Sequence, residues 1–192
     1  VQGGVAGGGG VSPDGMELRF HLKKGVVWHD GRPFTAEDVA FTYALVLDPT
    51  TRPTVAKSDY ASVVSVEAMD PLTVRFRLSR LDSSLPSKLT LGIVPKHLLA
   101  GADLATAEFN AKPVGTGPFV LERWDRGQSL VFTRNETYHG GAPQIQRLIW
   151  KVVPDSPVLF AQLLQGEVRG APVPNPATPR PLGPGLPLWT QT

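Results

Sequence analysis

Between residues 21 and 38 the chain carries His21, His29, Asp30, Glu37 and Asp38, the residue types of a metal or acid–base site. Two imidazoles and a carboxylate could hold a divalent cation, and two neighbouring carboxylates could share proton-transfer work. The spacing argues against both. His29 and Asp30 are adjacent, and adjacent side chains on extended backbone point to opposite faces. No two histidines stand four apart, and a metal site needs three or four convergent ligands. Glu37 and Asp38 are adjacent too, and neighbours on a helix do not face each other. Ser, His and Asp are all present, but no G-x-S-x-G elbow occurs. "GTGP" at 115–118 lacks the second half and the Lys-Ser/Thr ending of a phosphate loop. It reads instead as a chain crossing ahead of a strand at 118–124. With no cysteine in the sequence, disulfides, thiolate zinc sites and cysteine nucleophiles are excluded. No catalytic residue, metal ligand or cofactor is assigned, and the chain does not read as an enzyme.

The elements around these residues explain them differently. Asp30-Gly31 lies between short extended runs and suits a tight hairpin turn. Pro33 discourages helix at Arg32. Thr35 is then an N-cap, with Asp38 three residues on reaching back to it as in a capping box. Glu37 and Asp38 put negative charge at the positive end of the helix dipole. Phe34 and Val39 have the spacing of a hydrophobic staple, and Trp28 supplies apolar cover for the turn. The helix is expected over residues 35–47.

Strand patterns surround this helix. "MELRFHLKKG" sets Leu18, Phe20 and Leu22 against Glu17, Arg19 and His21, the period of a half-buried strand. "SVVSVEAMDPLTVRFRLS" gives two strands about Asp70-Pro71, with Leu72, Val74, Phe76 and Leu78 on one face. "GPFVLERW" and "SLVFTRN" flank "DRGQ" as a second hairpin, and "RLIWKVV" is a further strand. "SSLPSKLTL" and "LATAEF" are short helical candidates. Ser156 is a candidate cap with Pro157 at the first helical position. Leu159, Leu163 and Leu164 follow along one side, and Gly166 ends the helix.

The 192 residues are 41% hydrophobic, enough for a sizeable core. A net charge of +2 without a Lys/Arg-rich run does not point to nucleic acid. No apolar run approaches the roughly 18 residues that cross a bilayer, and the first residues lack a signal-peptide pattern. Residues 1–10 hold six glycines and are expected to be disordered; residues 170–192 hold seven prolines and are expected to be an extended, disordered tail. The span 11–169 reads as mixed α+β.

"LRFHLKKGVVWHDGRPFTAEDVAFTYALVLDP" resembles the signature of the family 5 extracellular solute-binding proteins, the peptide- and nickel-type substrate-binding subunits of bacterial ABC importers. "VVSVEAMDPLTVRFRLS", "IVPKHLL", "KPVGTGPFVLERWDRGQSLVFTRNETYHGGAPQIQRLIWKVVPD" and "SPVLFAQLLQGEV" follow in the family's order, over about residues 11–169.

The resemblance implies a partial periplasmic-binding-protein type II-like fold. Residues 11–95 would be the smaller, β-rich inserted domain and 96–169 part of the first lobe. It implies a substrate-binding component for oligopeptides or dipeptides, with ABC transporter permease subunits as partners. Residence would be periplasmic, or extracellular on a membrane anchor outside this chain. A nickel- or other solute-binding member is the variant reading, and a non-binding fragment or pseudogene product the alternative. Family members are well over twice this length, so the chain is expected to be a truncated or frameshifted product. Its ligand-binding residues remain unassigned. The W-H-D-G-R-P-F-T stretch is implied to be architectural and away from the ligand cleft.

Overall fold

A computed structural model describes residues 5–50 and 57–170. Its elements are β1 (Ala6–Val11), β2 (Glu17–Leu22), α1 (Ala36–Leu47), β3 (Val63–Asp70) and β4 (Thr73–Leu78). The short helices α2 (Leu85–Lys88) and α3 (Lys96–Leu99) follow. After them come β5 (Phe119–Asp125), β6 (Ser129–Arg134), β7 (Arg147–Lys151) and α4 (Ser156–Leu164). The mixed α+β reading stands. "SSLPSKLTL" contains α2, while "LATAEF" yields only the start of a 3-10 turn at Glu108–Asn110.

Four strands form an antiparallel sheet in the order β1-β2-β4-β3. The register Leu18↔Phe76 and Phe20↔Val74 aligns the apolar faces of β2 and β4. The β3–β4 hairpin closes at Asp70↔Thr73, where Asp70 Oδ1 accepts the Leu72 N–H at 2.8 Å. Helix α1 covers the sheet with Val39, Tyr43 and Val46. Phe76, 2% exposed, lies at the centre, edge-on to Phe20 at 5.6 Å and to Tyr43 at 5.0 Å between ring centroids. Such pairs add to what area burial contributes.

The glycine-rich start departs from expectation. Ala6–Val11 is a strand, paired with β2 through Gly9↔Phe20 and Val11↔Leu18. Glycine is a poor strand former because it gives up the most backbone freedom. Here β2 presents a free edge, and its backbone groups recruit β1 whatever side chains β1 carries. At Gly9 small size is required: a Cβ would come within 2.7 Å of the Arg19 carbonyl oxygen. The expected Pro-rich tail lies, from residue 171 on, outside the described residues.

The chain divides into two compact units, Val1–Glu122 with Phe132–Leu148, and Arg123–Val131 with Ile149–Thr192. The first contains the four-stranded sheet and the core around Trp28, Tyr43 and Phe76. A second sheet has three strands in the order β5-β6-β7. In the second unit the cap of α4 is Asp155, not Ser156. Its Oδ1 accepts the Val158 N–H at 3.0 Å, so Ser156 and Pro157 are already helical. Gly166 follows with φ +76°, the left-handed conformation that favours glycine at a helix end. Ile149, Trp150 and Val152, with Val158, Phe160 and Leu164 of α4, are exposed; Trp150 reaches 66%.

Candidate functional site

The stretch Val26–Phe34 folds as a tight hairpin. Trp28 and Arg32 are joined by the Trp28 N–H to Arg32 carbonyl bond at 2.7 Å. Gly31, at φ +83°, donates to the Trp28 carbonyl at 2.8 Å, a turn that a side chain at 31 would strain. Asp30 Oδ1 accepts the Arg32 N–H, and the Phe34 N–H returns to the Val26 carbonyl. Trp28 is buried beneath the turn with its ring edge-on to Phe34 at 5.5 Å. Turn, stop and cover are thus all realised as the local residue types require.

Helix α1 begins directly after this hairpin. Asp38 Oδ2 accepts the Thr35 N–H at 2.9 Å, the return bond of a capping box. Asp38 does more than cap. Its Oδ2 also accepts the Trp28 indole N–H at 3.3 Å, and its Oδ1 accepts the Lys96 backbone N–H at 2.9 Å. At 5% exposure this carboxylate is buried, and three donors offset the loss of water. Thr42 extends the same seam, donating to the Asp38 carbonyl and accepting the Val94 N–H at 3.0 Å.

The "IVPKHLL" segment is therefore the partner of the W-H-D-G hairpin. Lys96 Nζ reaches Glu37 at 2.9 Å, and His97 Nε2 donates to Asp30 Oδ2 at 2.6 Å. Burial pushes the Asp30 carboxyl up. The His97 and Arg32 N–H bonds and the charges of both residues outweigh it and hold the group below the usual Asp range.

His29 points to the "GTGP" loop. Its Nδ1 accepts the Gly115 N–H at 3.1 Å and its Nε2 lies 3.1 Å from the Gly117 carbonyl oxygen. The His29 N–H completes the contact on the Gly115 carbonyl at 2.8 Å. The buried Asn135 of the "RNETY" segment also donates to the Gly117 carbonyl, through Nδ2 at 3.0 Å.

The residues weighed for chemistry do not converge. His21 lies on β2 beside Thr73 Oγ1 at 3.3 Å; His29 serves the loop; Asp30 holds His97. Glu37 faces Lys96 while Asp38 is buried, so the two act separately. Among the described residues no group of three or more His, Cys, Asp or Glu could hold a metal ion. No helix among them is long and apolar enough to cross a membrane. One open groove of about 380 Å³ runs between α1 and β3, with Ala40, Phe41, Ala44, Val66 and Ala68 along it and Glu37 and Lys96 at its rim.

Residue-level reading did not find the roles of Lys96, His97 and Asn135. His97 is 67 residues from Asp30, and Asn135 is 18 from Gly117. Nothing local signals either contact; the only trace was the recurrence of their segments in a known order.

The family model described as bacterial extracellular solute-binding proteins, family 5 Middle, matches residues 1–184, wider at both ends than the span 11–169. The chain is 38% identical over 164 residues to Protein XP55 of Streptomyces lividans, covering 85% of this chain and 30% of that protein. It is 36% identical over 166 residues to the oligopeptide-binding protein AppA of Bacillus subtilis, covering 83% and 30%. Among solved structures, AppA of Bacillus subtilis in complex with a nonapeptide aligns with a TM-score of 0.78 at 32% identity, covering 86% of this chain and 34% of AppA. NikZ of Campylobacter jejuni in complex with Ni(L-His) aligns with a TM-score of 0.80 at 31% identity, covering 86% and 33%. The chain spans about a third of the length of these relatives.

Proposed function

The chain belongs to the bacterial extracellular solute-binding proteins, family 5, and from that membership we propose that it is part of a substrate-binding component of an ABC importer, with oligopeptides or dipeptides as the solute. The carrying observation is the likeness to AppA, by sequence and by fold, since AppA is named for oligopeptides and its structure holds a nonapeptide. The role is capture and release without bond chemistry. An extended peptide would be held by its backbone hydrogen bonds and by pockets for its side chains. Residues 11–95 correspond in this reading to the smaller domain and 96–169 to part of the first lobe. The permease subunits of the importer are the protein partners, and the compartment is periplasmic or extracellular.

The likeness to NikZ supports a second reading, a chelated nickel ion as solute. The histidines weigh against it. His21, His29 and His97 have separate partners, and the His139 ring lies tilted beside Tyr138 at 4.5 Å between centroids. A thermal-shift panel separates the readings. Ligand that binds only the folded chain raises Tm in a saturable way. The peptide reading expects this from mixed di- and oligopeptides. A shift with nickel–histidine and none with peptides transfers the assignment, and a shift with neither favours a chain that does not bind alone.

A further inference from the structure

The contacts of His29 reach well beyond the hairpin that carries it. An imidazole ring in its neutral form has one N–H donor and one bare acceptor nitrogen. Nδ1 receives the Gly115 N–H, so Nδ1 must be bare and the proton must sit on Nε2. Nε2 then donates to the Gly117 carbonyl at 3.1 Å. Both ring nitrogens are thus spent on backbone groups two residues apart in a loop 86 residues further along the chain. The loop residues fit this arrangement. A Cβ at Gly115 would lie 3.3 Å from His29 Cε1, tighter than ordinary contact, whereas a Cβ at Gly117 would meet nothing within 4 Å. Asn135 donates to the same Gly117 carbonyl, and its own N–H bonds the Pro118 carbonyl at 2.8 Å.

We infer that His29 is a positioning residue, a two-pronged lock that fixes the 115–117 loop on the 28–31 turn and so sets where β5 begins. Its partner bonds on the same turn, Asp30 to His97 and Trp28 to Asp38, hold the turn still while the ring grips the loop. Under the domain assignment proposed above, the lock ties the smaller domain to the first lobe, so that the two travel together; that consequence rests on that assignment. The lock itself is tested without any solute, so a failure of either reading is seen separately.

The test is NMR of the ¹⁵N-labelled chain, with amide exchange on the unaltered protein and on His29→Leu, His29→Gln, Gly115→Ala and Gly117→Ala. The unaltered chain should show Nδ1 of His29 as the bare nitrogen and Nε2 as the protonated one. His29→Leu should speed Gly115 amide exchange by about tenfold or more while the amides of 17–22 and 73–78 keep their protection. His29→Gln, whose carboxamide offers an acceptor oxygen and a donor NH2 group, should restore part of the protection. Gly115→Ala should loosen the loop and Gly117→Ala should leave it unchanged. A proton on Nδ1, or Gly115 exchange that ignores the loss of the ring, overturns the inference. If His29→Leu does not fold, the ring-nitrogen signature and the contrast between the two alanine variants decide.

Discussion

Trp28 and Asp38, ten residues apart, meet in the interior of the first unit, where the indole N–H donates to Asp38 Oδ2 at 3.3 Å. The same carboxylate takes the Thr35 and Lys96 backbone N–H groups. A turn, a helix start and a segment 58 residues downstream are thereby fastened to one side chain.

Replacing Asp38 with Ala should leave three donors without their acceptor in a site water scarcely reaches. The expected loss is roughly 2–4 kcal/mol, since each buried group left unpaired costs about 1–3 kcal/mol and the surroundings relax in part. Asp38→Asn keeps one acceptor oxygen and should lose less. Urea unfolding of the three proteins measures both; equal stability of Asp38→Ala and the unaltered chain would refute the role.

Gly9 and Gly8 are neighbours in β1 with opposite expectations. A methyl group at Gly9 would press on the Arg19 carbonyl and the Phe20 ring, while at Gly8 it meets nothing within 4 Å. Gly9→Ala should detach β1, seen as faster amide exchange at the outer edge of β2. Gly8→Ala should be neutral or stabilising by up to about 1 kcal/mol, because it restricts the unfolded chain. The same exchange experiment reads both.

Asp82 links its loop to Ser62, the residue just ahead of β3. It accepts from Ser84 Oγ at 2.7 Å and from the buried Ser62 Oγ at 2.8 Å. The Ser84 hydroxyl foremost, then Ser62, hold its carboxyl down to about 2, against an ordinary 3.8. A depressed carboxylate stabilises the fold above its unfolded value and ceases to do so as pH falls through the folded one. The contribution should therefore be complete above about pH 4 and vanish towards pH 2. Other carboxylates titrate nearby, so the readout is the difference from Asp82→Asn. The stability gap should shrink over that window and stay constant above it. A gap independent of pH would contradict the assignment.

Ile149, Trp150, Val152, Val158, Phe160 and Leu164 give the second unit an exposed apolar character. Apolar surface left in water promotes association. Sedimentation should show an average mass rising with concentration, and Trp150→Ser should lower it. A monomer throughout the micromolar range would contradict this.

Much of the fold was legible where local chemistry decides it. Asp30-Gly31, Pro33, Thr35 and Asp38 specify a turn, a stop and a cap through bonds spanning a few residues, and all formed. The alternation of Leu72, Val74, Phe76 and Leu78 located β4 and its buried face. Reading failed where a distant partner overrides local preference. Glycines at 7–10 argue against a strand, yet β2 supplies the hydrogen bonds that make one. His29 drew attention as a metal candidate because its type is visible in a sequence, while its partners, backbone groups at 115 and 117, are not. Ser156 looked like a cap because Pro157 follows it, but Asp155, one residue earlier, takes the amide of Val158.

The most direct measurement is a calorimetric titration of the chain with the peptide that stabilises it most, followed by weighing the recovered peptide. Solute capture without chemistry predicts a saturable heat at one peptide per chain and a peptide of unchanged mass. Absence of heat at millimolar peptide, or a peptide recovered cleaved, would contradict it.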